Sequence, residues 1–196
     1  MEIGISTQIY WDYEELDLPG TIEHVVEDLG FEALEIHCED PLFEAWGREE
    51  GEETKRKVKE ALSAVEAEAT LHGPFHDLNL ATPNQRVREE VLRQHEEADH
   101  ENLEMTLDVA HANTTQEGPV KFAEELGDCI RHLHVSDNTG EDAHVMIGEG
   151  DIDFGKVFRE LRPFEGAAII EGWIPKGEDP HVKMGKKKLE EIRDSL

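Results

Sequence analysis

The chain is short of cysteine, of basic residues and of long apolar runs, and each shortage closes off a class of protein. Cys38 and Cys129 are its only thiols in 196 residues. Two isolated cysteines build no disulfide framework and point to a reducing, cytoplasmic setting. No run of about 18 apolar residues occurs, so no membrane span is expected. The first residues carry no basic stretch leading into an apolar one, so no secretory signal is expected either. Lys and Arg number 19 against 47 Asp and Glu, a formal net charge of −28. Such a surface repels polyanions at long range, and nucleic acid is not the default partner. The same acid excess suits a salt-rich cell interior, where repulsion is screened. Charge therefore weakens a nucleic-acid role without removing it. No G-x-G-x-x-G follows the first apolar run, which removes the commonest dinucleotide-binding reading.

What the chain does have is alternation. Strands are predicted at 2–7, 33–38, 68–75, 104–110, 129–136 and 166–173. Helices are predicted at 21–30, closed by Gly30, and at 54–68, 83–98, about 117–126, 153–161 and 186–196. Low overall hydropathy argues for disorder only where apolar segments are missing, and here they recur along the whole length. About six βα units in one domain, residues 1–196, imply a parallel sheet with helices on its faces. A doubly wound sheet and a (β/α) barrel both fit.

The carboxyl ends of these strands carry an unusual set of side chains. Glu35, His37 and Glu39 stand at the second, and His72, His76 and Asp77 at or after the third. Asp108 and His111 end the fourth, and His132, His134 and Asp137 the fifth. Asp142 and His144 follow in a loop, and Glu171 ends the last strand. Strand carboxyl ends are where α/β folds place their chemistry. Histidine with carboxylates is a donor set for zinc, manganese or iron. For His37, His76 and His132 a hydrogen-bonded structural role is the expectation. A carboxylate directly after the buried run AAII, as at Glu171, is costly unless paired or metal-bound.

Five stretches, LHGPFHDLNLA (71–81), TLDVAHAN (106–113), HLHVSDN (132–138), DAHVMIGEGDIDF (142–154) and AIIEGW (168–173), occur in order. With GFEALEIH (30–37), they resemble the xylose isomerase-like TIM barrels, a superfamily of sugar-phosphate isomerases and epimerases and of AP endonuclease family 2. The resemblance implies a TIM-barrel-like α/β fold. It implies a divalent metal, zinc or manganese, held by Asp108, His134 and Glu171. It implies a further endonuclease-type metal site at His111, Asp142 and His144, and a third-strand ligand at His72. In the isomerases the position of His111 touches substrate instead, so His111 and Glu171 are the catalytic candidates. Gly148 and Gly150 match the family's Gly-Glu-Gly loop.

One departure stands out. After VREEVLRQ the family has a fourth strand ending in a His-Pro-Gly type motif and a fifth ending in a Glu-Asn type motif. Here HEEADHENL leads straight to the Asp108 strand. Two central βα units are missing, and with them a histidine ligand and the bridging glutamate. Glu101 and Asn102 precede a strand and so are read as loop; Glu96, Glu97 and His100 offer replacement donors. Strand number and shear are linked, so a shortened barrel of about six units closes smaller, stays open, or covers its edges by self-association. The leading reading is a metal-dependent sugar or sugar-phosphate isomerase or epimerase. The alternatives are an endonuclease IV-type zinc phosphodiesterase acting on abasic DNA and a non-catalytic metal-binding remnant.

Overall fold

Alternating β-branched and polar residues place one apolar and one polar face on nearly every strand, and the structure uses both. It is a computed structural model that describes residues 1–10, 17–37, 51–72, 105–172 and 179–196. Six parallel strands are found among them: β1 (Glu2–Ser6), β2 (Ala33–His37), β3 (Glu68–His72), β4 (Met105–Asp108), β5 (Ile130–Val135) and β6 (Ala167–Ile170). Their order is β3-β2-β1-β6-β5-β4. First and last strands are therefore neighbours, as in a barrel. The two strands that flank residues 73–104 are the two ends of the sheet among the described residues.

Among the described residues six α-helices accompany the strands: α1 (Leu18–Glu23, continued as a wider turn to Asp28), α2 (Gly51–Ala64), α3 (Val109–Asn113), α4 (Gly118–Leu126), α5 (Phe154–Glu160) and α6 (Asp179–Asp194). Ile3, Ile5, Leu34, Ile36, Leu133, Val135, Ala168 and Ile170 face outward and are buried. Helix residues such as Ile22, Val25, Val58, Val157, Val182 and Leu189 share the same core. The inner face holds a small second core of Ala33, Ala167 and Ile169. There is no room on it beside β1: a Cβ on Gly4 would lie 2.5 Å from Ile169 Cδ1 and 2.8 Å from the Ala33 carbonyl oxygen.

The sheet curls strongly about this inner face. His132 on β5 reaches Glu35 on β2 at 3.1 Å. Three strand spacings separate them, about 14 Å in a flat sheet. The result is a half-barrel with alternating helices outside, which is the shortened TIM-barrel-like fold expected.

Several boundaries differ from the sequence expectation. α6 begins at Asp179, seven residues before 186. Gly185 lies inside this helix, whose Val182 and Leu189 are buried in the core, and that packing outweighs the weak helix preference of glycine. α1 begins at Leu18 because Asp17 caps it, its side chain accepting from the Gly20 N–H. β4 stops at Asp108, and α3 takes over where the strand was expected to run to 110. The predicted helix at 83–98 lies outside the described residues. So do Cys38, Glu39, His76, Asp77, Glu96, Glu97, His100, Glu101 and Asn102.

Candidate metal centre

Asp108 and His111 meet because the chain changes structure between them. Asp108 is the N-cap of α3, with Oδ1 accepting from the His111 N–H at 2.8 Å. That turn folds the His111 ring back, and its Nδ1 lies 2.7 Å from Asp108 Oδ2. In a continuing strand, residues three apart would point to opposite faces. Asn138 holds this helical turn to the end of β5. Its amide donates to the Ala110 carbonyl at 2.9 Å, and it accepts from Asn113 at 2.8 Å.

β5 aims His132 and His134 inward, since they share a face by the strand period of two. His134 stands between two carboxylates: Nδ1 is 3.0 Å from Glu171 Oε2, and Nε2 is 3.0 Å from Glu35 Oε1. Burial alone would lower the His134 pKa, but hydrogen bonds to Glu171 and Glu35, and their charges, win and push it up to about 10. Burial would raise the pKa of Glu35, yet the His132 and His134 bonds hold it well below the usual carboxylate range. Glu171 behaves alike: burial opposes ionisation, and His134 nevertheless lowers its pKa.

The second constellation lies beyond β5. Asp137, 1% exposed, pairs with Val145 through two backbone hydrogen bonds and so returns the intervening loop to the sheet. This brings Asp142 and His144 over α3. The rings of His111 and His144 pack edge to face at 4.9 Å, and His144 Nδ1 bonds Ser136 Oγ at 3.0 Å. Asp137 also accepts from the N–H groups of Asn138, Gly148 and Ile152. It shapes the Gly-Glu-Gly loop, where Gly148 has φ +88. Gly150 fits so tightly that a Cβ would lie 2.4 Å from the Asn138 carbonyl oxygen.

Three groups of side chains offer donor atoms within 4.8 Å of one another among the described residues: Asp108, His134 and Glu171; His111, Asp142 and His144; and Glu35, His72 and His134. The seven residues that the resemblance implied as metal ligands, His72, Asp108, His111, His134, Asp142, His144 and Glu171, all occur in these groups. Mixed imidazole and carboxylate donors fit zinc or manganese. Glu35 Oε2 is buried with no hydrogen-bond partner among the described residues, so the two imidazoles at Oε1 carry the pairing of this carboxylate. His132 has the structural bond expected of it, to Glu35. Glu35 is the residue that strand-end reasoning left without a role. Its signal was present, because a carboxylate inside the apolar run ALEI is as costly unpaired as one after AAII.

A model of the xylose isomerase-like TIM barrel family matches residues 89–195, more than half of the chain. The uncharacterized protein MJ1311 of Methanocaldococcus jannaschii is 39% identical over 89 residues, which is 42% of this chain and 30% of that protein. Fructoselysine 3-epimerase of Shigella flexneri is 31% identical over 68 residues, 33% of this chain and 25% of the epimerase. These matched stretches span less than a third of each curated relative. Among solved structures, a D-tagatose 3-epimerase-like protein superposes with a TM-score of 0.73 at 22% identity, covering 100% of this chain and 99% of that one. D-psicose 3-epimerase of Clostridium cellulolyticum H10 gives 0.65 at 16% identity, with 98% of each chain covered. At these identities the structural likeness speaks for the fold alone. Family match, curled parallel sheet and motif order agree, and the chain belongs to the xylose isomerase-like TIM barrel family.

Proposed function

We propose that the protein is a metal-dependent isomerase or epimerase of a small sugar or sugar phosphate, working as one domain, with Asp108, His134 and Glu171 holding a divalent zinc or manganese ion. One observation carries this reading: three neighbouring strands, β4, β5 and β6, bring those donor atoms within 4.8 Å at the strand carboxyl ends. Sugar epimerases among the relatives support it. A bound cation would polarise neighbouring sugar oxygens and make the carbon-bound proton between them easier to remove.

The chain's own residues supply the rest. Glu171, at the end of β6, is the base that accepts the carbon-bound proton. His111 is anchored through Nδ1 to Asp108 and is half-exposed at the mouth. It orients a sugar hydroxyl with its other nitrogen. His72 adds an imidazole to the opposite wall, its ring stacked 5.5 Å from that of His134. An acidic surface does little to exclude a small, weakly charged substrate.

The His111, Asp142 and His144 group favours a second reading, a zinc phosphodiesterase acting on abasic DNA. Metal per chain, measured by mass spectrometry on protein purified without chelator, separates the two. The expected result is about one ion per chain, lost in Asp108→Ala and kept in His144→Ala. Exchange of a ketose carbon-bound proton in D2O, followed by NMR, should fall with the ion. Two ions, one lost with each variant, would favour the phosphodiesterase. No bound metal after soaking with zinc or manganese would defeat both.

A further inference from the structure

His134 is claimed from two sides. A neutral imidazole has one lone pair and one N–H. The ring nevertheless belongs to two donor groups, one with Asp108 and Glu171 and one with Glu35 and His72. It can ligate through one nitrogen while donating through the other, so one of the two carboxylate neighbours must be an acceptor rather than a fellow ligand.

The surroundings decide which. Glu35 sits in mid-strand and is 3% exposed. Its Oε1 faces a second imidazole, with His132 Nε2 at 3.1 Å beside His134 Nε2 at 3.0 Å. An oxygen that accepts two N–H bonds has both lone pairs engaged. Asp108 and Glu171 stand instead at strand ends and are partly exposed, where an ion and a substrate can enter.

We propose that Glu35 is a positioning residue for the metal centre. By accepting the Nε2–H of His134, it fixes the tautomer whose Nδ1 lone pair faces Asp108 and Glu171, and His132 holds Glu35 in place from the other side. Metal-bound histidines commonly donate their second N–H to a carboxylate, which raises ligand basicity and fixes the ring. β2 thereby serves a centre whose ligands come from the other half of the sheet. This inference rests on the metal-centre reading above.

The test uses zinc, which is diamagnetic. In histidine-labelled protein, long-range proton–nitrogen correlation spectra should show His134 protonated at Nε2 and zinc-shifted at Nδ1, with His134→Gln giving the assignment. Zinc affinity, measured against a chromophoric chelator, should fall about 10- to 100-fold in Glu35→Gln, with the number of bound ions unchanged. His132→Gln should cause a smaller loss in the same direction. Three results overturn the inference: His134 bound through Nε2, a whole zinc equivalent lost in Glu35→Gln, or affinity unchanged in that variant. If zinc binds, disappears in Asp108→Ala and ignores Glu35→Gln, only this inference fails. If the wild type binds no zinc or manganese, the metal centre fails with it. Should Glu35→Gln not fold by circular dichroism, the wild-type tautomer alone gives the decision.

Discussion

Asp108 combines two tasks that substitution can separate. It caps α3 through Oδ1 and holds the His111 ring through Oδ2. Asparagine caps a helix about as well as aspartate, whereas alanine costs about 1 kcal/mol. In chelator-treated protein, Asp108→Asn should therefore melt near the wild type and Asp108→Ala about 2–4 °C lower. Both should lose the ion, because neither retains the carboxylate charge. Equal melting of the two variants would remove the cap from the account. His134 offers a pH test on the same chelated protein. Its pKa is raised to about 10, so its bonding stabilises fully below about pH 6.5, the ordinary histidine value, and is lost as pH rises toward 10. Glu35 and Glu171 have lowered values. Their contribution is present above about pH 4.3 and is lost as pH falls. The trio is most stabilising between about pH 4.5 and 6.5. Thermal scans should show the gap between wild type and His134→Gln shrinking from pH 7 to 10. A constant gap would mean that no imidazolium is held between the carboxylates.

At the scale of elements, the loop after β5 hangs on one buried carboxylate. Asp137 accepts from three backbone N–H groups, those of Asn138, Gly148 and Ile152. Removing an acceptor that serves several donors costs more than one hydrogen bond, at least about 3 kcal/mol. Asp137→Ala should speed amide exchange at Gly148 and Ile152 and loosen His144, while exchange in β1 and β6 stays slow. Fast exchange throughout would instead show that the whole domain depends on this loop. Asp137 illustrates what the sequence displays and what it hides. Strand positions were legible because segments such as IRHLHV, with its alternation, and the apolar AAII are too short and too rich in β-branched residues to read as helices, and ligand-type residues gather at their carboxyl ends. The α3 turn was not, since five residues carry no helical period and only the cap at Asp108 marks it. The early start of α6 was hidden by Gly185, because the burial of Val182 and Leu189 that carries the helix through a glycine is a tertiary fact. The partner of Glu35 was hidden because β2 and β5 meet only when the sheet curls. Side chains from opposite halves of a half-barrel share no local pattern.

For the molecule as a whole, shape and charge pull against each other. The six described strands curl far enough to bring β2 and β5 side chains into contact, with β3 and β4, the described ends of the sheet, flanking residues 73–104. That curl concentrates Glu35, Glu171 and Asp108 on one inner face of a chain whose net charge is already −28. Self-repulsion of such a chain is relieved by unfolding, and it is screened as the Debye length falls from about 10 Å at 0.1 M salt to about 3 Å at 1 M. The local ion pairs within α2, such as Arg56 with Glu53 and Glu60, are exposed and of little consequence for stability. Screening them subtracts less than screening the net repulsion adds. The thermal midpoint of chelated protein should therefore rise by several degrees between 0.1 and 1 M KCl. An equal osmolarity of sucrose separates screening from general exclusion effects, and the rise should be larger in salt than in sucrose. A midpoint that is flat or falls with KCl would mean that specific ion pairs outweigh the net charge. The acidic surface would then need another explanation, such as a partner that carries the opposite charge.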